Sequence, residues 1–243
     1  MLIIVRWEGK MKLKPEKTDI AVMLSKGALG AIPIVGPLVA EVVGTLLPNQ
    51  RLDRIERFLE KLEEYVREFD REKVEEQFRK PEFIDLLEDG FYQAARALNE
   101  ERLEYIATLV AKGLSQDDAE YIRFKKMLSI LSSLNDAEVL FLVMYGRFEF
   151  GDQSFMEQHK EVLQPKAATM RSSEEELEAA FVQDSYKAHL VELGLLRPRF
   201  KRPPRGEFPE FDDKTGMMKA SGYDLTPLGR MLLKYIGQMT IHP

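Results

Sequence analysis

The three histidines of this chain, His159, His189 and His242, stand too far apart for two imidazoles to share one helix face, so the spacing of a helix-borne metal site is absent. There is no cysteine, which excludes disulfides, thiolate catalysis and Cys-ligated zinc. The serines have neither a Gly-x-Ser-x-Gly elbow nor a neighbouring base. Asp212-Asp213-Lys214 echoes the acid-x-Lys element of some nucleases, but it lies in a Pro- and Gly-rich loop with no acid on a preceding strand. Gly30 and Gly36 suggest a phosphate loop, yet Pro37-Leu38 stands where such a loop needs Lys followed by Ser or Thr. The expectation is therefore a protein that is not an enzyme and uses no metal or cofactor.

The chain has 243 residues, 44% apolar and 31% charged, enough for one large domain or two small ones. Its charges are mostly Glu, Lys and Arg, all good helix formers, so a mainly α protein is expected. A net charge of -6 argues against blanket attraction to nucleic acid but leaves room for a local basic patch. Residues 1–17 read as an N-terminal extension with a short hairpin, in which Leu2–Trp7 pairs back on Met11–Lys14. No cleavable secretory signal is evident there, so the cytoplasm is the expected compartment, with peripheral membrane attachment as the alternative.

Residues 18–134 are expected to form a helical bundle led by an apolar hairpin. Thr18 caps an apolar helix to about Ala31; Pro33 and Pro37 impose a bend, and a second helix runs from Pro37 to Leu47. The stretch KGALGAIPIVGPLVAEVVGTLLP, Lys26–Pro48, is the most apolar in the chain. The bend divides it into halves too short to cross a bilayer singly. Gly30, Pro33, Gly36 and Pro37 thus mark a hairpin that is either buried in the protein core or able to insert reversibly into membrane.

A charged helix follows, with Leu52, Ile55, Leu59, Leu62, Val66 and Phe69 spaced alternately three and four residues apart. This heptad seam wants a partner helix, and its short length points to an antiparallel hairpin within the chain. Further helices are expected from Pro81 to Leu98, from an Asn99 cap to a stop at Gly113, from a Ser115 cap to Leu134, and from an Asn135 cap through Arg147.

Residues 135–243 change character. After a polar loop, Ser172-Ser173 with Glu175-Glu176 forms a capping-box signature for a helix through Leu193, which Gly194 stops. Leu195–Lys201 reads as a strand, Gly222–Leu225 as the returning strand, and Thr226-Pro227 as the cap of a last helix. This order, with HLVELGLL and YDLTPLGRMLL, resembles a winged-helix domain and implies an α+β C-terminal half. Such domains read DNA or dock proteins. Arg197, Arg199, Lys201, Arg202 and Arg205 would then form a basic wing able to contact nucleic acid or a partner, beside Lys187 on the preceding helix. Glu174, Glu175, Glu176 and Glu178 on the approach oppose groove binding by that helix.

The apolar N-terminal segment, then the charged long helix, ARALNEERLEYIATLVAKGLS, SILSSLNDAEVLFL, HLVELGLL and YDLTPLGRMLL together look like the bacterial abortive-infection alpha type of protein. The resemblance covers most of residues 18–238 and implies a role in phage defence. It carries over no catalytic or ligand residue. The corresponding expectation is a protein partner at the winged helix and conditional membrane engagement by residues 20–47. The rivals are a DNA-binding regulator and a purely structural adaptor. The sequence does not set the oligomeric state.

Overall fold

The computed structural model describes residues 52–114, 118–148, 153–165, 172–206, 208–211, 216 and 218–239. The expected N-terminal hairpin, the apolar segment with Gly30, Pro33, Gly36 and Pro37, and the Ser115 cap lie outside the described residues. Among the described residues the protein is mainly helical, with ten helices and one two-stranded antiparallel sheet.

The charged helix forms as α1, Leu52–Val66. Ile55, Leu59, Leu62 and Val66 are fully buried as the heptad requires, and so is Phe58, which widens the apolar stripe beyond a single seam. The wider stripe serves two partners. After the short α2, Arg71–Gln77, come α3, Pro81–Ala94, and α4, Glu100–Leu114. Phe58 meets Phe91 of α3 edge to face, with centroids 5.6 Å apart. Arg57 pairs with Glu100, and Lys61 with Glu104 at 3.0 Å, so α1 and α4 climb together in parallel. The expected antiparallel pairing is therefore only half of the arrangement. A heptad shows that a partner is needed, and chain connectivity decides its direction.

Helices α3 and α4 run antiparallel and close together at two glycines. A Cβ on Gly90 would come within 3.0 Å of Val110, and one on Gly113 within 2.6 Å of Leu86. Gly113 is thus a close-contact residue inside the last turn of α4, where a stop was expected. Helix α5, Asp118–Ser133, lies antiparallel to α4: Arg102 of α4 donates from Nη2 to the carbonyls of Leu131 and, at 2.8 Å, Leu134.

The caps follow the sequence. Asn99 accepts the Arg102 N–H at 2.8 Å. At the start of α6, Asp136–Phe148, Asn135 and Glu138 exchange hydrogen bonds of 2.9 and 2.8 Å. Short helices α7, Gln153–Gln158, and α8, Lys160–Leu163, lead to α9, Glu174–Glu192, whose Ser173 and Glu176 form the expected capping box.

Gly194 ends α9 with φ +71°, which an L side chain would strain to adopt, and the Leu195 N–H closes back on the Leu190 carbonyl. Strand β1, Leu196–Phe200, then pairs with β2, Ala220–Leu225, in the register Leu196 to Leu225 and Pro198 to Tyr223. Thr226 caps α10, Pro227–Tyr235, and donates its hydroxyl to the Gly194 carbonyl at 2.7 Å.

Helix α10 packs on α4, α5 and α6, and Tyr235 stacks on Phe124 at 4.5 Å. One continuous apolar cluster therefore extends from Ile55 to Ile236.

Candidate functional site

The hairpin β1–β2 carries the basic residues singled out above, and it divides them into two groups. Arg197 and Arg199 leave the same face of β1 and bracket Asp224 of β2: Arg197 Nε lies 3.8 Å and Arg199 Nη1 3.3 Å from its carboxylate oxygens. Exposed pairs of this kind contribute about 0–1 kcal/mol, and the single carboxylate offsets one of the two positive charges. Lys201, Arg202 and Arg205 extend past the sheet, exposed, with no ion pair among the described residues. Lys187 is bonded to Asp184 one turn earlier on α9 at 3.0 Å.

Aromatic side chains accompany these three cations. Phe200, Phe211 and Phe208 are exposed, the last to 90%. The bridge between Phe211 and Met218 continues the hairpin past β1 and β2. Lys201, Arg202, Phe208, Pro209 and Met218 line a groove of about 330 Å³ along this extension.

The exposed side of α9 has the opposite sign. Glu174, Glu175, Glu176, Glu178, Asp184 and Glu192 are all exposed, and the cation Lys187 is already paired. His189 is a third exposed and its Nδ1 lies 2.8 Å from buried Glu138. That carboxylate also caps α6, so His189 ties α9 to the start of α6.

Sequence reasoning missed a cleft of about 450 Å³ enclosed by α6, the α7–α8 segment, α9 and the hairpin. Phe141, Met144, Met156, Leu163 and Leu225 supply apolar walls. Tyr145 and Tyr223 meet there with ring centroids 6.2 Å apart. Burial pushes the Tyr145 hydroxyl up to about 12. Burial, and then the negative charge of Asp184, raises Tyr223. Both hydroxyls therefore stay protonated at neutral pH. Lys187, Arg199 and Asp224 complete the lining. The only sequence signal was the pair of tyrosines inside otherwise regular segments, and their meeting depends on the packing of four elements.

No family model, curated protein or solved structure matches this chain significantly. Among the described residues no three His, Asp or Glu side chains converge to hold a metal ion, and no single helix is long and apolar enough to cross a membrane.

Proposed function

We propose that this chain is a bacterial phage-defence protein that works by binding and not by catalysis. Its C-terminal half, α6 to α10, acts as a winged-helix-like module that docks a protein partner through the wing. The order supports this reading: three helical segments, a long-looped antiparallel hairpin behind α9, and a closing helix. In the cytoplasm the N-terminal segment 20–47 would respond to docking by engaging the membrane, a step that rests on its apolar sequence alone.

The observation that carries docking is the wing. Contiguous exposed apolar surface marks interaction sites, and Phe200, Phe208 and Phe211 stay exposed on a hairpin whose root is buried at Leu196 and Leu225. With Lys201, Arg202 and Arg205 between them, the complementary partner surface is apolar with an acidic rim.

Phage challenge tests the reading. Cells making the chain should show a lowered plating efficiency, restored by Phe208→Asp with Phe211→Asp at an unchanged thermal midpoint. Normal plaquing on cells that make folded wild-type protein sinks it.

A second reading, a DNA-binding regulator, draws on the same three cations. It predicts a duplex gel shift that weakens steeply with salt and is lost in Lys201→Ala, Arg202→Ala, Arg205→Ala. The carboxylates along α9 weigh against it, because groove insertion would set them beside phosphate. Liposome flotation with and without Gly36→Asp checks the membrane step.

A further inference from the structure

We propose that the cleft between α6, α9 and the β-hairpin binds a small apolar monocarboxylate, with its hydrocarbon body against the methionine wall and its carboxylate toward Tyr145 and Tyr223. Nothing in this proposal depends on a role in phage defence.

The cleft's volume, about 450 Å³, lies in the range of about 300–1,000 Å³ that small-molecule sites occupy, and its composition is of the same kind, apolar walls with a few convergent polar groups. Met144 and Met156 offer unbranched, polarisable side chains that adapt to an apolar guest. The base is firm, since Phe141, Leu163 and Leu225 are each at least 97% buried.

The polar groups select the head. Neither tyrosine hydroxyl has a hydrogen-bond partner among the described residues, and both remain donors at neutral pH. Lys187 uses one of its three N–H groups on Asp184, and Arg199 reaches Asp224 only at 3.3 Å. Donors are thus in surplus. Among the described residues Asp224 is the one carboxylate lining the cleft, and it already faces two arginines. A ligand bearing an anionic acceptor satisfies this arrangement, whereas an amine would meet Lys187 and Arg199.

The probes are sodium octanoate, 1-octanol and octylamine, titrated into the full chain by calorimetry and by methionine-methyl NMR. Octanoate should bind saturably, shift the Met144 and Met156 signals, and exceed both other probes in affinity by about tenfold or more. Lys187→Met should weaken octanoate several-fold and leave 1-octanol unchanged. Met156→Trp, which fills the cleft from a half-buried position, should abolish octanoate binding at an unchanged thermal midpoint; Met144→Trp replaces it should that variant unfold. The proposal is overturned by an absence of saturable octanoate binding up to about 10 mM. Equal affinity for 1-octanol or octylamine, or binding that survives the filled cleft, overturns it as well.

Discussion

Along the α1–α4 seam ionisable side chains meet partners: Arg57 with Glu100, Lys61 with Glu104, and, one helix further on, Lys125 with Asp85. Along the β1–β2 hairpin and its extension, Lys201, Arg202 and Arg205 meet none among the described residues, and aromatic rings that a bundle would bury remain in solvent. The two regions have similar residue types and opposite degrees of completion. Charge bordering a closed apolar seam belongs to the architecture, whereas the charge interleaved with exposed aromatics has no ion-pair partner among the described residues.

Substitutions can break or sharpen this contrast. The largest effect belongs to the bundle: Phe58→Ala removes a fully buried ring that packs on Phe91 of α3 and should cost about 3–5 kcal/mol in urea titration. A loss below about 1 kcal/mol would mean that the seam is not the closed structure described. Next is Arg102→Met, which keeps the apolar stem but removes the guanidinium donor from the carbonyls of Leu131, which retains the Leu134 N–H, and Leu134; about 1–3 kcal/mol should be lost. Ser173→Ala should cost about 1 kcal/mol by opening the α9 capping box, with helicity otherwise intact by circular dichroism.

A smaller effect is set by pH. Hydrogen bonds from Lys125 and then Tyr121 hold the Asp85 carboxyl below its ordinary value of 3.8. Its contribution is therefore complete above the unfolded value and fades as pH falls through the lower folded one. Because Asp85 is half exposed, Asp85→Asn should flatten the acid limb of a stability–pH profile by only about 0.5 kcal/mol. The smallest effect is expected beyond the β-hairpin: Phe208→Ser should change stability by no more than about 0.5 kcal/mol. A larger loss would show that the ring is structural and would erase the distinction between the regions.

The elements legible in the sequence were those fixed by local chemistry. Asn99, Asn135, Ser173 and Thr226 each cap the helix that follows, because a side-chain oxygen and an N–H three residues away suffice to define the motif. The heptad of α1 gave its buried face for the same reason. Gly113 was misread because a glycine near a helix end serves equally as a stop and as a place for another helix to approach, and only Leu86 across the gap distinguishes them. At the site, the basic residues were visible, but the pairing of Arg197 and Arg199 with Asp224 depends on a hairpin register spanning more than twenty residues. The cleft was not legible because its walls come from segments that are far apart in the chain and meet only through tertiary packing.

Gly229, near the start of α10, lies so close to the turn after α9 that an added Cβ would come within 2.4 Å of the Leu195 carbonyl oxygen. That contact seats a helix which also stacks Tyr235 on Phe124 of α5. During synthesis, then, the ribosome must deliver the hairpin and α10 before α5 receives this cover. Until residue 235 emerges, the nascent bundle presents an open apolar flank, and chaperone engagement measured against chain length should fall only after that point.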